Sequence, residues 1–203
     1  MKKKYISLAL ACVLCACSAA EDKSIEQQNS SNQAYCSEEG TTCSIDESAD
    51  MKDYEGIDEE NNAFVETSMD EALSIFRNKK TAILYFGYPD CPWCVEAVPI
   101  LDELAKENNQ QILYIRTRDD QKELLYTDDE KKELISYAKK YMNQDEEGKY
   151  QLYVPFVVFV KNGKIMNAHI GTVDGHDAHE RTMTEDEQKE LTKIYDEMFQ
   201  SIE

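Results

Sequence analysis

The chain has 203 residues, with 41 acidic against 22 basic side chains and a formal net charge of −19. That length holds one domain with a real core plus extra segments, and it excludes two ordinary domains. So acidic a surface repels phosphate backbones and anionic headgroups, which weighs against nucleic acid as a partner and against electrostatic attachment to a membrane.

The first residues read as an export signal rather than as part of the fold. Lys2, Lys3 and Lys4 form a basic start, Ile6 to Leu14 is a short apolar run, and small residues follow. Such a run is too short to span a membrane as a stable helix. "LCAC", Leu14 to Cys17, resembles the lipobox of bacterial lipoproteins, which implies cleavage after residue 16 and lipidation of Cys17. The plainer alternative is a secreted protein cleaved near Ala19 or Ala20. Cleavage removes three lysines and no acids, so the exported chain is more acidic still. A lipid on Cys17 would hold it at a membrane that it does not otherwise favour.

Residues 17–62 are rich in Ser, Glu, Asp, Asn and Gln and read as a flexible tether between anchor and domain. Within it, "CSEEGTTC" places Cys36 and Cys43 at the ends of a short polar loop. Outside the cytoplasm these two can close as a local disulfide staple, or serve as a second redox pair that exchanges with another.

The expected domain covers residues 63–203, with regular structure from about Ser68. Ser68 with Glu71 is a capping box ahead of Ala72, Leu73, Ile75 and Phe76 at helical spacing. "TAILYFG", Thr81 to Gly87, is a short apolar run, hence a buried strand. "YPDCPWC" follows, and then Val95, Val98, Leu101 and Leu104 mark a helix that Pro99 should kink. Gln111 to Thr117 reads as a second buried strand. Thr127 with Glu130 caps a third helix, with Leu134, Tyr137, Ala138 and Tyr141 on its apolar face. Tyr153 to Val160 is a strand carrying a proline. The Asn162–Gly163 turn returns it as a paired strand to Ile170. Thr184 with Glu187 caps a last helix, striped by Leu191, Ile194, Tyr195, Met198, Phe199 and Ile202. The order predicts an α/β domain with a mixed sheet and helices on both faces.

Chemistry concentrates at Cys91 and Cys94. Structural zinc needs four ligands, usually two such pairs, and His169, His176 and His179 lie far along the chain, so no metal is expected there. "DGHDAHE", Asp174 to Glu180, reads as a solvated loop rather than a weak metal site. Cys91 falls after a strand at the start of a helix, where unpaired N–H groups and the helix dipole favour a thiolate. Pro92 suits the first helical turn. Cys94, one turn on, can reach Cys91 as the resolving thiol in exchange through a mixed disulfide. An inert disulfide is the plainer alternative.

"CPWCVEAVPILDELAKE", Cys91 to Glu107, resembles the active-site helix of thioredoxins, including Pro99. "VPFVVFVKNGKIMNAHIG", Val154 to Gly171, resembles their second half. The resemblance spans roughly residues 64–203 and implies a thioredoxin-like fold. It also implies a cis-proline at Pro155 beside the cysteines, and a backbone edge at Val154 that pairs with an extended substrate next to Trp93. The plain reading of Pro155 is an edge-strand proline. The chain departs from the family in three places. Asp90 replaces the tryptophan before the first cysteine. Tyr85 replaces the buried carboxylate on the preceding strand, which leaves the proton on Cys94 without its usual acceptor. Asp90 and Glu96 are candidates for that proton, against the plainer reading of both as solvated surface acids. Finally, Arg118 to Tyr150 is longer than the family's connection and adds a helix, which either shapes a substrate surface or only extends the domain.

The form of "LYFGYPDCPWC" is similar to a thioredoxin-like group described as bacteriocin transport accessory or maturation proteins. The function expected from all this is that of an extracytoplasmic, lipid-anchored thiol–disulfide oxidoreductase. It would form, isomerise or reduce disulfides in exported proteins or peptides, alongside a redox partner and with no metal or organic cofactor. The other class left open is a thioredoxin-fold module that binds clients without turnover.

Overall fold

The computed structural model describes residues 48–202. The expected signal, the lipid-bearing Cys17 and the Cys36–Cys43 loop lie outside the described residues. Four helices flank one five-stranded sheet. The elements are β1 (Phe64–Thr67), α1 (Met69–Arg77), β2 (Ala82–Gly87), α2 (Pro92–Glu107), β3 (Ile112–Arg116), α3 (Asp128–Ala138), β4 (Phe156–Lys161), β5 (Lys164–Ile170) and α4 (Glu185–Gln200). Among the described residues no helix is long and apolar enough to cross a membrane.

The sheet order is β1-β3-β2-β4-β5. The β1–β3 and β2–β3 pairs are parallel, whereas β4 runs antiparallel to both β2 and β5. A β–α–β half followed by an antiparallel hairpin and a closing helix is the thioredoxin fold, as the sequence led us to expect. β2 lies near the centre with all six residues buried, which is why it reads as an unbroken apolar run. One core lies between the sheet and the α2–α4 layer, holding Tyr85, Leu101, Phe159 and Tyr195. The other lies under α1 and α3, around Leu73, Phe86, Leu134 and Phe156.

The three expected capping boxes all form. Ser68, Thr127 and Thr184 each accept a hydrogen bond from the backbone N–H three residues on, while Glu71, Glu130 and Glu187 reach back to the cap amide. The Asn162–Gly163 turn has positive φ at both residues, 53° and 70°. Glycine is required there because a Cβ on Gly163 would stand 2.8 Å from the Phe76 carbonyl oxygen.

Four expectations are corrected. Regular structure begins at β1, not at Ser68; β1 has only four residues, too few to show a period. The last part of the expected tether belongs to the domain. Ala49, Met51 and Tyr54 are buried in the α2-side core, and the Ala49 N–H donates to the Phe64 carbonyl at 2.7 Å. The apolar face of α3 is narrower than its pattern: Leu134 and Ala138 are buried, Tyr137 is exposed although stacked on Phe76, and Tyr141 falls in a 3₁₀ turn beyond the helix. β4 starts at Phe156, so Pro155 precedes the strand rather than lying within it. α2 continues through Pro99 to Glu107.

Asp102 ties α2 to the edge of the sheet. Its buried carboxylate accepts from the Ala63 N–H at 2.7 Å and pairs with Lys106 at 2.7 Å. Asp102→Ala is expected to leave a buried amide unpaired and cost about 1–3 kcal/mol, read as a lower urea midpoint, with Asp102→Asn milder because it keeps an acceptor.

Candidate active site

Three pieces of chain meet at the cysteine pair: the end of β2, the first turn of α2 and the residues just before β4. Cys91 is the N-cap of α2, with φ −86° and ψ 114°, and Pro92 occupies the first helical position. The Cys91 sulfur accepts from the Cys94 N–H at 3.4 Å. Both cysteines are in the free thiol form and both are buried, Cys94 completely. The Val154–Pro155 peptide is cis. It presents the Val154 carbonyl to Cys91, whose S–H donates to it at 3.7 Å. The structure thus joins Cys91, Cys94, Val154 and Pro155, which are far apart in the sequence.

The two thiols are electrostatically unequal. Cys91 is held below the usual thiol range, first by the Cys94 side chain and then by the N–H groups of Cys94 and Trp93, against opposition from burial. Cys94 is pushed well above that range, chiefly by burial and then by its neighbour Cys91. The two thiols therefore differ in the ease with which they ionise, Cys91 before Cys94.

Beside Cys91 lies a groove of about 350 Å³. Trp93 lines it, edge-on to His179 with ring centroids 4.6 Å apart. Tyr153 and Val154 form a second side, and Leu124 and Tyr126 from the long segment after β3 form a third. That segment therefore walls the groove rather than only extending the domain. Its Arg118 sits over the Tyr88 ring, 5.7 Å from the centroid.

The candidate acids turn out differently from expectation. Asp90 is 64% exposed and faces Lys122 at 3.8 Å, so it is the surface acid its plainer reading implied. Glu96 is not: its side chain is only 14% exposed, bonds His176 Nε2 at 3.1 Å and accepts from the Met183 N–H. It clamps the segment before α4 onto α2. The reading of Asp174 to Glu180 as a simply solvated loop is likewise corrected, since His176 is buried against Glu96 and His179 enters the groove. Among the described residues, no group of three or more His, Cys, Asp or Glu side chains is placed to hold a metal ion.

Beneath Cys94 stands a cluster of three tyrosines. Tyr85 is fully buried in the same core cluster as Cys94 and favours the Cys94 thiolate. The Tyr54 hydroxyl lies 3.4 Å from that of Tyr85 and 3.2 Å from that of Tyr114. Burial raises the ionisation of all three above the ordinary phenol value. Gly87 leaves room for this arrangement, since a Cβ there would lie 2.2 Å from the Tyr85 hydroxyl. Sequence reading singled out Tyr85, named His179 only as part of a loop, and missed Tyr54 and Tyr114.

No family profile and no curated protein matches the sequence. Solved structures do. Thioredoxin O2 of Arabidopsis thaliana, in its oxidised state, is 18% identical, with 58% of this chain and 87% of that chain covered at a TM-score of 0.34. Plasmodium falciparum thioredoxin is 20% identical, covering 65% and 97% at 0.34. Thioredoxin O1 of Arabidopsis thaliana, also oxidised, is 18% identical, covering 59% and 91% at 0.33.

Proposed function

We propose that this chain is a thiol–disulfide oxidoreductase acting on exported cysteine-containing proteins or peptides, anchored outside the cytoplasm through a lipid on Cys17. The observation that carries the chemistry is the placement of Cys91: a lowered thiol at a helix N-terminus, facing the Val154 carbonyl at the rim of an open groove. The Cys91 thiolate attacks a client disulfide, forming a mixed disulfide and releasing one client sulfur as a thiolate. Cys94 then attacks the Cys91 sulfur, and its proton leaves as the second client sulfur departs. The client is reduced by two electrons and the protein oxidised by two; the reverse sequence donates a disulfide. Trp93 and the Val154 backbone position the client. The signal and lipobox support the location. The form of the cysteine motif supports clients of the kind handled by bacteriocin accessory proteins.

Equilibration of the cysteine pair with glutathione buffers tests the reading and sets its direction. A potential near about −270 mV favours a reductase fed from across the membrane, and one near about −120 mV favours a disulfide donor. A pair that never equilibrates, in a protein that binds peptide equally well after alkylation, would replace the reading with a client-binding module.

The pH dependence follows from the unequal thiols. A thiol ionising below its usual range carries thiolate at lower pH. Alkylation of Cys91 by iodoacetamide is therefore expected to rise with pH and level off below the range of an ordinary cysteine. Cys94 should stay unreactive well above it. Peptide mapping after timed alkylation checks both.

A further inference from the structure

The proposed exchange leaves one proton unaccounted for in the structure. When Cys94 attacks, the bond between Cys91 and the client breaks, the Cys91–Cys94 bond forms and the client leaves as a thiolate. The Cys94 proton must go elsewhere, yet Cys94 is completely enclosed. Neither nearby acid is arranged to take it, since Asp90 faces Lys122 and Glu96 is bonded to His176 and Met183.

Resting on that proposed exchange, we infer that the hydroxyls of Tyr85, Tyr54 and Tyr114 form a proton path from the Cys94 thiol to an acidic recess on the surface. Tyr85 packs in the same buried cluster as Cys94, Tyr54 bridges Tyr85 to Tyr114, and Tyr114 lines a recess of about 620 Å³. Asp50, Asp53, Glu66 and Asp119 line the same recess, with Lys52 and Arg116. The Cys94 proton passes to the Tyr85 oxygen as the Tyr85 proton passes to Tyr54, that of Tyr54 to Tyr114, and that of Tyr114 to a carboxylate or water in the recess. Each tyrosine gains one proton and loses one. None has to persist as a phenolate, which burial would penalise. A hydroxyl chain thus does the work of a single buried carboxylate without placing a charge in the core. Tyr85 takes the Cys94 proton in this path, whereas Tyr54 and Tyr114 act through it as positioning residues.

The test uses the full-length protein and the aromatic disulfide 5,5′-dithiobis(2-nitrobenzoate), which releases one coloured thiolate on attack by Cys91 and a second on attack by Cys94. Stopped-flow phases missing from a Cys94→Ala variant report the second step. Tyr54→Phe removes one hydroxyl and touches neither cysteine. It is expected to leave the first phase intact, slow the second about a hundredfold and shift its pH midpoint upward, with Tyr114→Phe acting in the same direction. A second phase with unchanged rate and pH profile overturns the path while leaving the proposed exchange standing. Equal slowing of both phases also overturns it, because the tyrosines would then serve the fold alone. Absence of any Cys94-dependent phase in the wild-type protein overturns path and exchange together.

Discussion

Cys91→Ser is expected to reduce exchange with a disulfide-bonded peptide to the level of a protein-free control, whereas Cys94→Ala keeps the first attack and accumulates a mixed disulfide. The hydroxyl of serine ionises far above the thiol it replaces, so the N–H groups of Cys94 and Trp93 have no sulfur anion to hold. Cys94 plays the opposite part. It is enclosed and held as a thiol, so its loss weakens the support of the Cys91 thiolate but leaves the attacking sulfur in place, and it removes the route of release. Non-reducing electrophoresis with a labelled peptide reads both outcomes. Activity surviving in Cys91→Ser would move the chemistry to another cysteine and end the proposal.

The second large effect lies in a stretch that looks like linker. Met51 is fully buried against the α2-side core, and Met51→Ala is expected to cost about 2–5 kcal/mol, lowering the urea midpoint with little change in slope. A residue in a solvated tether would cost nothing on truncation, so the measurement separates the two descriptions cleanly. The same packing dictates where a soluble fragment should begin. A chain starting at residue 63 would lose Ala49, Met51 and Tyr54, and with them part of the core under Cys94.

What could be read from the sequence was what is encoded locally. Capping boxes are four-residue signals, and Ser68, Thr127 and Thr184 were found because nothing distant is needed to form them. The Asn-Gly turn, the apolar run of β2 and the cysteines at a strand-to-helix junction belong to the same class. Residues 48–62 were misread because Met51 and Tyr54 are single apolar residues in irregular, polar chain. Burial there follows from docking, and docking leaves no period. The tyrosine cluster was hidden for a related reason. Tyr54 meets partners 31 and 60 residues away, so no window of sequence contains the contact. His176 looked like part of a wet loop because Glu96, which buries it, lies 80 residues earlier.

The spacing of the two sulfurs also governs how the protein fares under oxidative stress. Peroxide attacks thiolates, so Cys91 is the site of damage and its first product is a sulfenic acid. Left alone, such a group advances to sulfinic and sulfonic acids that ordinary thiols do not reverse. Here a second thiol lies one helical turn away, buried from the solvent, and condenses with the sulfenic acid, releasing water, to give the same disulfide that the proposed exchange makes. The lesion is thereby converted into a disulfide that a reducing thiol can open again, which restores the protein.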